Sequence, residues 1–162
     1  MPPEVQVSEL YTNVQTSSCR EIDATARRIK GFLEGEKIKF SLDIIDLSLC
    51  SQFQKSVLHA EHQIPWGMVS TYGLIAKYLG KSRGARAVGN ALATNPFPII
   101  IPCHRAIRSD RHLGGFQGGI AMKRALLENE GIVFDEKELV ICSHFYYGIY
   151  HKKNVLNRSI KI

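Results

Sequence analysis

A cysteine and a histidine stand side by side in the segment NPFPIIIPCHRAI, residues 95–107. A free thiol has a pKa of roughly 8.5 and reacts as the thiolate, so Cys103 needs a base to become a nucleophile. His104 suits that role if a turn after Pro102 lets its imidazole reach the thiol directly or through a water. The positive charge of Arg105 also favours the thiolate. The pattern therefore predicts an activated cysteine.

A base of this kind is usually oriented by an acid from elsewhere in the chain. Glu130 is the candidate, because it stands at the end of the last predicted helix, just before a glycine. For an arbitrary Cys-His pair, an inert buried thiol and a structural histidine are the commoner outcome. Here the pair follows an apolar run and precedes a glycine-rich loop, where functional residues concentrate. The location favours a functional cysteine and leaves the inert alternative open.

The elements around the cysteine can be predicted from local patterns. The apolar run 99–101 predicts a strand buried on both faces. The segment LGGFQGG, residues 113–119, predicts a loop whose backbone N–H groups can approach a ligand closely. Residues 121–131 predict a last core helix that ends at Gly131. The tail, 133–162, fits either a strand or a short helix packed on the core.

Three helices are predicted ahead of the cysteine, over residues 51–64, 70–80 and 83–94. Ser51 followed by Gln54 is a capping-box pattern, which marks the start of the first helix. The helices are ended by Pro65 and Gly67, by Gly80, and by Asn95-Pro96. Apolar residues at helical spacing are Phe53, Val57, Ala60 and Ile64, then Tyr72, Ile75, Ala76 and Leu79, then Ala85, Val88 and Leu92.

The second and third of these helices form a helix-turn-helix pattern, since a tight glycine-containing turn joins them. Two core helices with a short loop would look the same and are the commoner outcome. The third helix, with Ser82 as its candidate N-cap, is rich in alanine and glycine, so its backbone can approach another surface closely. It also carries Arg83 and Arg86, as a DNA-binding helix requires. These features favour DNA binding modestly.

The first 50 residues predict a small α+β unit. A helix over residues 22–33 is followed by Gly35 as C-cap, and residues 37–45 alternate apolar and polar like a half-buried strand. The apolar residues of the helix face are Ile22, Ala26, Ile29 and Leu33. Those of the strand are Ile38, Phe40, Leu42 and Ile44.

Composition narrows the protein class. The chain of 162 residues is long enough for one domain or for one domain plus a small appendage, and at 44% hydrophobic and 22% charged it is typical of a globular protein. Its net charge of +6 weakly favours a polyanionic partner. No apolar stretch approaches the roughly 20 residues of a membrane span, and no secretory signal begins the chain, so we expect an intracellular protein. The four cysteines form no C-x-x-C pair, so a zinc ribbon and a thioredoxin-like motif are excluded.

Several segments together resemble the O6-alkylguanine-DNA alkyltransferases. They are IPWGMVSTYGLIAKYLG, ARAVGNAL, NPFPIIIPCHR, LGGFQGG and LLENEG, in unbroken order within residues 53–132. The resemblance implies an α+β fold with a mainly helical, winged-helix-like alkyltransferase domain at 51–135 that contains the helix-turn-helix. It also implies a trimmed α/β domain at 1–50 and a C-terminal tail at 136–162.

The resemblance implies a repair reaction. Cys103 would accept an alkyl group from O6 of guanine, or O4 of thymine, in duplex DNA and keep it, so that each molecule acts once. His104 would deprotonate Cys103 through a water, with Glu130 polarising the imidazole. Tyr72 would donate a proton or hydrogen bond to guanine N3. Arg86 would fill the gap left when the damaged nucleotide is flipped out on the minor-groove side, because a stacked base hides its target atom.

The resemblance assigns further residues. Other DNA contacts would come from Thr71, Arg83, Ala85, Ala87, Gly89 and Asn90. The pocket and its turn would be built by Asn95, Pro102, Arg105, Ala106, Leu113, Gly114, Gly115, Phe116, Gln117 and Gly118. Within this set, Asn95 would hold the turn before the cysteine, and N–H groups near Gln117 would face O6. The partner would be double-stranded DNA with O6-alkylguanine, bound by a cytoplasmic or, in a eukaryote, nuclear monomer without cofactor or membrane contact.

The sequence departs from the family pattern at two places. Phe116 stands where many members have tyrosine, so a hydroxyl contact is missing. Only about fifty residues precede the matching region, and they contain Cys19 and Cys50 but no histidine, so we expect no structural zinc.

Three other classes of protein remain open as alternatives. A non-catalytic alkyltransferase-like protein is disfavoured by Cys103, while a cysteine hydrolase and a sequence-specific DNA-binding regulator would be distinguished by turnover and by binding without transfer.

Overall fold

Residues 19–148 are described by a computed structural model, and they form the mixed helix and strand architecture expected from the sequence. The helices are α1 (Arg20–Leu33), α2 (Gln52–His62), α3 (Tyr72–Tyr78), α4 (Ala85–Ala93) and α5 (Gly119–Asn129). The strands are β1 (Ser70–Thr71), β2 (Ala106–Ile107), β3 (Val133–Phe134) and β4 (Val140–Ile141). Two 3₁₀ helices, Leu42–Ile44 and Cys103–Arg105, complete the described part.

Helices α2, α3 and α4 surround the main core, as their apolar spacing predicts. Ser51 caps α2 by accepting a hydrogen bond from the Gln54 amide at 3.2 Å. The Gln54 side chain turns away from the cap and donates to the carbonyl oxygens of Ala91 and Thr94. The capping box is therefore half formed, and its second member instead fastens α2 to the end of α4. The predicted helix residues buried here are Val57, Ala60, Ile64, Ile75, Ala76, Val88 and Leu92.

The turn between α3 and α4 differs in one respect from its prediction. Gly80 ends α3 with a φ of 73°, as expected of a glycine beyond a helix end. Gly84, rather than Ser82, is the N-cap of α4, and no side chain caps the helix. The Gly84 amide donates to the Lys81 carbonyl at 2.7 Å, and a Cβ at Gly84 would lie 2.9 Å from that oxygen. The tight turn therefore moves the cap to a residue without a side chain.

Strands β1 and β2 form a short parallel pair in which Ser70 lies opposite Ala106 and Thr71 opposite Ile107. This pair places the start of α3 beside the residues that follow the cysteine. A second core lies against β2 and is closed by the antiparallel pair β3–β4. Its buried members are Val69, Ile107, Leu113, Leu127, Ile132 and Val140.

The apolar run 99–101 is a turn, so the predicted strand is wrong. Ile99 has a φ of 74°, and the Ile101 amide donates back to Phe97 at 2.9 Å. Prolines at 96, 98 and 102 remove the backbone donors that a strand ladder needs. The side chains of Ile99 and Ile101 are nevertheless buried, because the turn directs them into two different cores.

Residues 37–45 also form no strand, and the prediction there is wrong. Their backbone carbonyls are bound by side chains: Arg28 donates to Lys39 at 2.9 Å, and Nε2 of His62 lies 2.8 Å from the Phe40 oxygen. The 3₁₀ helix Leu42–Ile44 then interrupts the segment, capped by Ser41. The alternation of apolar residues reflects burial of Phe40 against a third core cluster rather than strand pairing.

Helix α1 buries a different face from the predicted one. Ile22 and Leu33 are 55% and 41% exposed, and Ala26 is also exposed. The buried residues of α1 are Gly31 and Phe32, and the Phe32 ring meets Trp66 edge-on at 5.4 Å. The contact is therefore made by the C-terminal end of the helix rather than along its length. Glu34, rather than the predicted Gly35, is the C-cap of α1, and Gly35 follows it with a φ of 96°.

The described part of the tail contains both kinds of structure considered for it, since β4 is a strand and residues 146–148 are helical. Strand β4 pairs with β3 beyond α5. Helix α5 ends at Asn129 with Glu130 as its C-cap, two residues before the predicted end, and Gly131 follows with a φ of 82°. Tyr147 then packs into the main core, where its hydroxyl donates to the Ala60 carbonyl at 2.7 Å. Over residues 19–148, none of the helices is long and apolar enough to cross a membrane.

Candidate active site

A cavity of about 570 Å³ opens between the start of α3, helix α4 and the loop 113–117. Cys103 contributes to its wall. Predicted site residues that line it are Tyr72, Ala85, Arg86, Gly89, Asn90, Cys103, Gly114, Gly115, Phe116 and Gln117. The structure adds Leu92, Ala93 and Arg108 to this lining.

The cysteine is held at the cavity by Asn95, which is buried at the end of α4. The Asn95 side-chain amide donates to Sγ of Cys103 and to the Ile101 carbonyl, each at 3.3 Å. The side-chain carbonyl oxygen of Asn95, Oδ1, accepts a hydrogen bond from the Phe97 amide at 3.0 Å. Both ends of the amide are therefore used to fix the turn between α4 and the 3₁₀ helix that carries the thiol.

The Cys103 thiol is protonated at neutral pH. Burial raises its pKa to about 11, because the thiolate is poorly solvated there, while the Asn95 hydrogen bond and the charge of Lys123 oppose this shift. A thiol in this state is unreactive until a base removes its proton. The site therefore depends on a neighbouring proton acceptor.

His104 meets this requirement from a fully buried position. Its Nε2 lies 2.8 Å from Oε1 of Glu130. Burial lowers the pKa of His104, against the opposing effect of Glu130, so the ring is neutral. Because a carboxylate only accepts hydrogen bonds, Nε2 carries the proton and Nδ1 keeps a lone pair. Nδ1 is buried and has no hydrogen-bond partner among residues 19–148, so its lone pair is available.

Glu130 is an ionised carboxylate despite its burial. Burial alone raises its pKa, but hydrogen bonds from His104 and Arg105 outweigh this and lower the pKa below its ordinary value. Arg105 donates from Nε to both oxygens at 3.0 and 2.9 Å, and the Gly67 amide approaches at 3.3 Å. The acid predicted from its place at the helix end is thus fixed on three sides.

Arg105 does not act on the thiol in the way its sequence position predicts. Its guanidinium binds Glu130 and donates to the Ile64 carbonyl at 2.5 Å. The positive charge that favours the Cys103 thiolate is that of Lys123. Chain neighbours on a 3₁₀ helix point in different directions, which explains why adjacency in sequence was misleading here.

Tyr72 lines the cavity from the first turn of α3, directly after the N-cap Thr71, whose hydroxyl accepts from the Leu74 amide. The Tyr72 hydroxyl lies 3.5 Å from the Gly115 carbonyl and 3.4 Å from Nζ of Lys123. Burial raises the pKa of the phenol to about 12, so the hydroxyl keeps its proton. Tyr72 therefore presents a proton donor to the cavity.

Lys123 is a site residue that the sequence reasoning missed. It is fully buried on α5, and Nζ donates to the carbonyls of Ala106 and Leu113 at 2.6 and 2.7 Å, and to Gly115 at 3.2 Å. A signal was present, because Lys123 precedes Leu126 and Leu127 by three and four residues and so shares their buried face. Lysine is rarely buried without a specific role.

Gly114 lets the loop pass close to Tyr72. Its φ is 72°, and a Cβ there would lie 3.0 Å from the Tyr72 hydroxyl. The neighbouring Phe116 faces His104 edge-on, with ring centroids 6.4 Å apart. Gln117 donates from Nε2 to the Ala93 carbonyl at 2.6 Å, which fastens the loop to the end of α4.

Other predicted residues lie around the cavity rather than in its wall. Ala87 is exposed on α4, and Arg83 is exposed in the turn just before this helix, although the predicted helix included it. Residues buried behind the wall are Thr71, Asn95, Pro102, His104, Arg105, Ala106, Leu113 and Glu130. Gly118 is exposed at the N-cap of α5. Arg108, which was not predicted, borders the cavity with its guanidinium paired to Asp110 at 2.7 Å.

The remaining cysteines do not form a second site. Cys19 is exposed, Cys50 is buried, and both are free thiols, so no disulfide joins them. Over residues 19–148, no group of three or more histidine, cysteine or acidic side chains is placed to hold a metal ion.

Comparison with known proteins points to one family. Residues 52–132 match the family described as 6-O-methylguanine DNA methyltransferase, DNA binding domain. A methylated-DNA–protein-cysteine methyltransferase from Methanothermobacter thermautotrophicus is 44% identical over 104 residues, which cover 64% of this chain and 58% of that protein. A protein of the same name from Saccharolobus islandicus is 50% identical over 84 residues, 52% of this chain and 54% of that protein. The chain thus spans a little over half the length of these relatives.

Solved structures show the same fold. Mycobacterium tuberculosis OGT in complex with DNA has a TM-score of 0.62 at 39% identity and covers 67% of this chain and 66% of its own. The O6-methylguanine-DNA methyltransferase from the hyperthermophilic archaeon Pyrococcus kodakaraensis has a TM-score of 0.61 at 28% identity, with 80% and 79% covered.

Proposed function

The chain belongs to the O6-methylguanine DNA methyltransferase family, and from that membership we propose that it repairs alkylated DNA by direct transfer. The alkyl group moves from O6 of guanine, or O4 of thymine, to Sγ of Cys103. The single observation that carries this proposal is the position of Cys103: it lines a cavity bordered by α4, with a neutral buried base on the next residue. The transfer forms one carbon–sulfur bond and breaks the bond between the alkyl carbon and O6.

The proton of Cys103 passes to Nδ1 of His104 through one water, since Nδ1 makes no direct hydrogen bond to Sγ or to another atom of residues 19–148. Glu130 then stabilises the imidazolium, since its carboxylate already accepts from Nε2. Because burial raises the pKa of the Cys103 thiol to about 11, the thiol is protonated in the resting protein, and its proton has to be removed for the transfer to occur. The thiol therefore stays unreactive until an alkylated nucleobase occupies the cavity.

The leaving guanine takes the electron pair of the broken bond and needs a proton at N3. Tyr72 is the donor, because its protonated hydroxyl faces the cavity at the start of α3. The positive charge of Lys123, 3.4 Å from that hydroxyl, stabilises the negative charge that develops on the phenol. Atoms and charge therefore balance without a cofactor.

The substrate base reaches the cavity by leaving the DNA helix. Helix α4 exposes Arg86 beside the opening, where its side chain can replace the flipped nucleotide in the duplex. Ala85 and Gly89 on α4 are half-buried and carry no long side chain, so the surface of the helix can approach the minor groove closely. Binding mainly to phosphates, with Arg83 contributing, suits a protein that searches for damage regardless of sequence.

No step of this scheme cleaves the new carbon–sulfur bond on Cys103, so we expect each monomer to act once. The reaction takes place where the DNA is, in the cytoplasm of a prokaryote or the nucleus of a eukaryote. The test is turnover: a duplex with O6-methylguanine should lose one lesion per protein molecule and no more. Continued loss beyond one equivalent would indicate a cysteine hydrolase, and specific binding without any loss would indicate a regulator.

A further inference from the structure

A second cavity, of about 320 Å³, lies between the segment 37–40, the end of α2 and the turn 99–102. It shares no lining residue with the cavity that Cys103 lines. Its volume is at the lower end of the roughly 300–1,000 Å³ that is typical of small-molecule sites. The size therefore suits a ligand with a single ring and a short side chain.

Three aromatic side chains line this second cavity, namely those of Phe32, Phe40 and Trp66. The Phe32 ring lies edge-on to Trp66 at 5.4 Å and is tilted against Phe40 at 6.0 Å between ring centroids. Phe32 and Phe40 are buried, whereas Trp66 is half-buried, so part of Trp66 remains accessible to a ligand. Aromatic rings stabilise one another in such edge-on and offset arrangements, so the lining suits a further planar ring.

The side chains of fixed charge that line the second cavity are Lys37, Lys39 and Arg105, and all three are positive. Lys37 and Lys39 are exposed, and neither forms an ion pair within the part of the chain that the structure describes. The acid next to them in sequence, Glu36, has its carboxylate against Gly31 at the end of α1. Two ammonium groups without a counter-charge favour an anionic ligand.

Arg105 contributes hydrogen-bond donors as well as charge. A guanidinium group has five N–H donors. In Arg105, Nε–H and one N–H of Nη2 bind Glu130, and one N–H of Nη1 binds the Ile64 carbonyl. Three of the five are thus used, and the other two, one on each terminal nitrogen, have no acceptor among residues 19–148. Guanidinium N–H groups match the planar geometry of a carboxylate, which also fits the small volume.

We propose that this second cavity is a ligand site for a small aromatic carboxylate. The ring of the ligand packs against the three aromatic side chains, and its carboxylate is bound by the two lysines and by the remaining N–H groups of Arg105. An occupant would touch two residues that hold the base, because Arg105 also binds Glu130 and the Phe32 ring lies 5.9 Å from the His104 ring between centroids. Binding at this site requires no DNA and does not depend on the proposed repair reaction.

Tryptophan fluorescence of the full chain tests the proposal, because Trp66 is the only tryptophan in the sequence. The probe is phenylacetate, with phenylacetamide as the neutral counterpart and acetate as the anion without a ring. We expect phenylacetate to change the fluorescence saturably, with a Kd of about 1 mM, and the two control compounds to leave it unchanged. A phenylacetate response that does not saturate by about 10 mM, or an equal response to either control compound, would overturn the proposal.

Charge variants test the two lysines. The double variant Lys37→Gln/Lys39→Gln should weaken phenylacetate binding by about fivefold, because two exposed ion pairs with the carboxylate are lost. The matched control is Lys77→Gln/Lys81→Gln, which removes the same charge from exposed positions outside the cavity and should leave the Kd unchanged. An unchanged Kd in the first variant, or equal weakening in both, would contradict the assignment of the carboxylate to these lysines.

Isoleucine methyl signals in NMR spectra of the wild-type protein locate the ligand without any substitution. Ile38 and Ile100 are half-buried and line the second cavity, whereas Ile120 and Ile141 are exposed elsewhere. We expect nuclear Overhauser effects from the phenylacetate ring protons to the δ1 methyl groups of Ile38 and Ile100. Effects confined to Ile120 and Ile141 would indicate adsorption to the surface and overturn the proposal. A protein that transfers no methyl group would refute the proposed function while leaving these binding results intact.

Discussion

His104 and Glu130 are joined across 2.8 Å between Nε2 and Oε1, with both side chains withdrawn from solvent. The carboxylate fixes the proton on Nε2 and leaves Nδ1 as the acceptor of the site. The same carboxylate is held by Arg105, so the orientation of the imidazole is fixed by residues from α5 and the 3₁₀ helix together. This arrangement gives the neutral base one orientation and one tautomer.

Glu130→Gln should remove the negative charge that stabilises protonated His104, while the size and shape of the side chain at position 130 stay nearly the same. The amide cannot stabilise an imidazolium, so we expect single-turnover transfer to slow by about 100-fold. Arg105 would also lose its buried counter-charge, at a stability cost of about 3 kcal/mol. Rates measured well below the unfolding transition separate the two effects. Glu136→Gln, which changes an exposed carboxylate, serves as the control, and a Glu130→Gln rate within twofold of wild type would contradict the relay.

The pH dependence of transfer should carry the signature of a buried histidine. Burial lowers the pKa of His104 from its ordinary 6.5, against the opposing effect of Glu130. A base with a lowered pKa stays unprotonated further into acid, so the acid limb of the single-turnover rate should fall at a pH below 6.5. Single-turnover rates on methylated duplex measure this midpoint. A midpoint at or above 6.5 would show that another group or an exposed histidine controls the reaction.

Arg86→Ala should affect duplex repair selectively. Because unstacking a base costs a few kcal/mol, loss of the side chain that fills the gap should slow repair of duplex by about tenfold or more. Reaction with a free O6-alkylguanine base should change little, since no base has to be flipped. Arg83→Ala is the matched control, since this exposed residue lies in the turn before α4 and outside the cavity wall. Equal slowing on both substrates would remove the flipping role.

Asn95→Ala should loosen the turn that carries the thiol. The substitution leaves the Phe97 amide and the Ile101 carbonyl without their side-chain partner, which should cost about 1–3 kcal/mol of unfolding free energy. It also removes a hydrogen bond that lowers the pKa of Cys103, so the thiol should titrate at higher pH. Chemical denaturation and thiol alkylation as a function of pH measure the two effects. An unchanged free energy of unfolding would show that Asn95 does not stabilise the turn.

Helical periodicity was the most informative feature of the sequence for the fold. In α2, α3 and α4 the apolar residues recur at helical spacing and face one core, so local pattern and tertiary packing agree. In the run 99–101 they disagree. Three isoleucines suggest a strand, but the flanking prolines leave too few backbone donors for one, and burial is achieved by a turn with Ile99 in the left-handed region.

The site was partly predictable for the same kind of reason. Cys103 and His104 share a segment, and Glu130 could be inferred from its place at a helix end. The partners of Arg105 could not, because they depend on how α5 packs against the 3₁₀ helix. Lys123 and Glu61 are single charged residues inside helices, and it is the tertiary structure that shows both to be fully buried. Long-range packing, not residue type, decides such contacts.

The central claim is that Cys103 is the alkyl acceptor, and a mass measurement tests it most directly. The protein is incubated with one equivalent of duplex containing O6-methylguanine, digested, and its peptides weighed. We predict that the peptide containing Cys103 gains the mass of one methyl group, and that Cys103→Ala binds the duplex without removing the methyl group. An unmodified Cys103 peptide after the lesion is lost, or transfer by Cys103→Ala, would contradict the account.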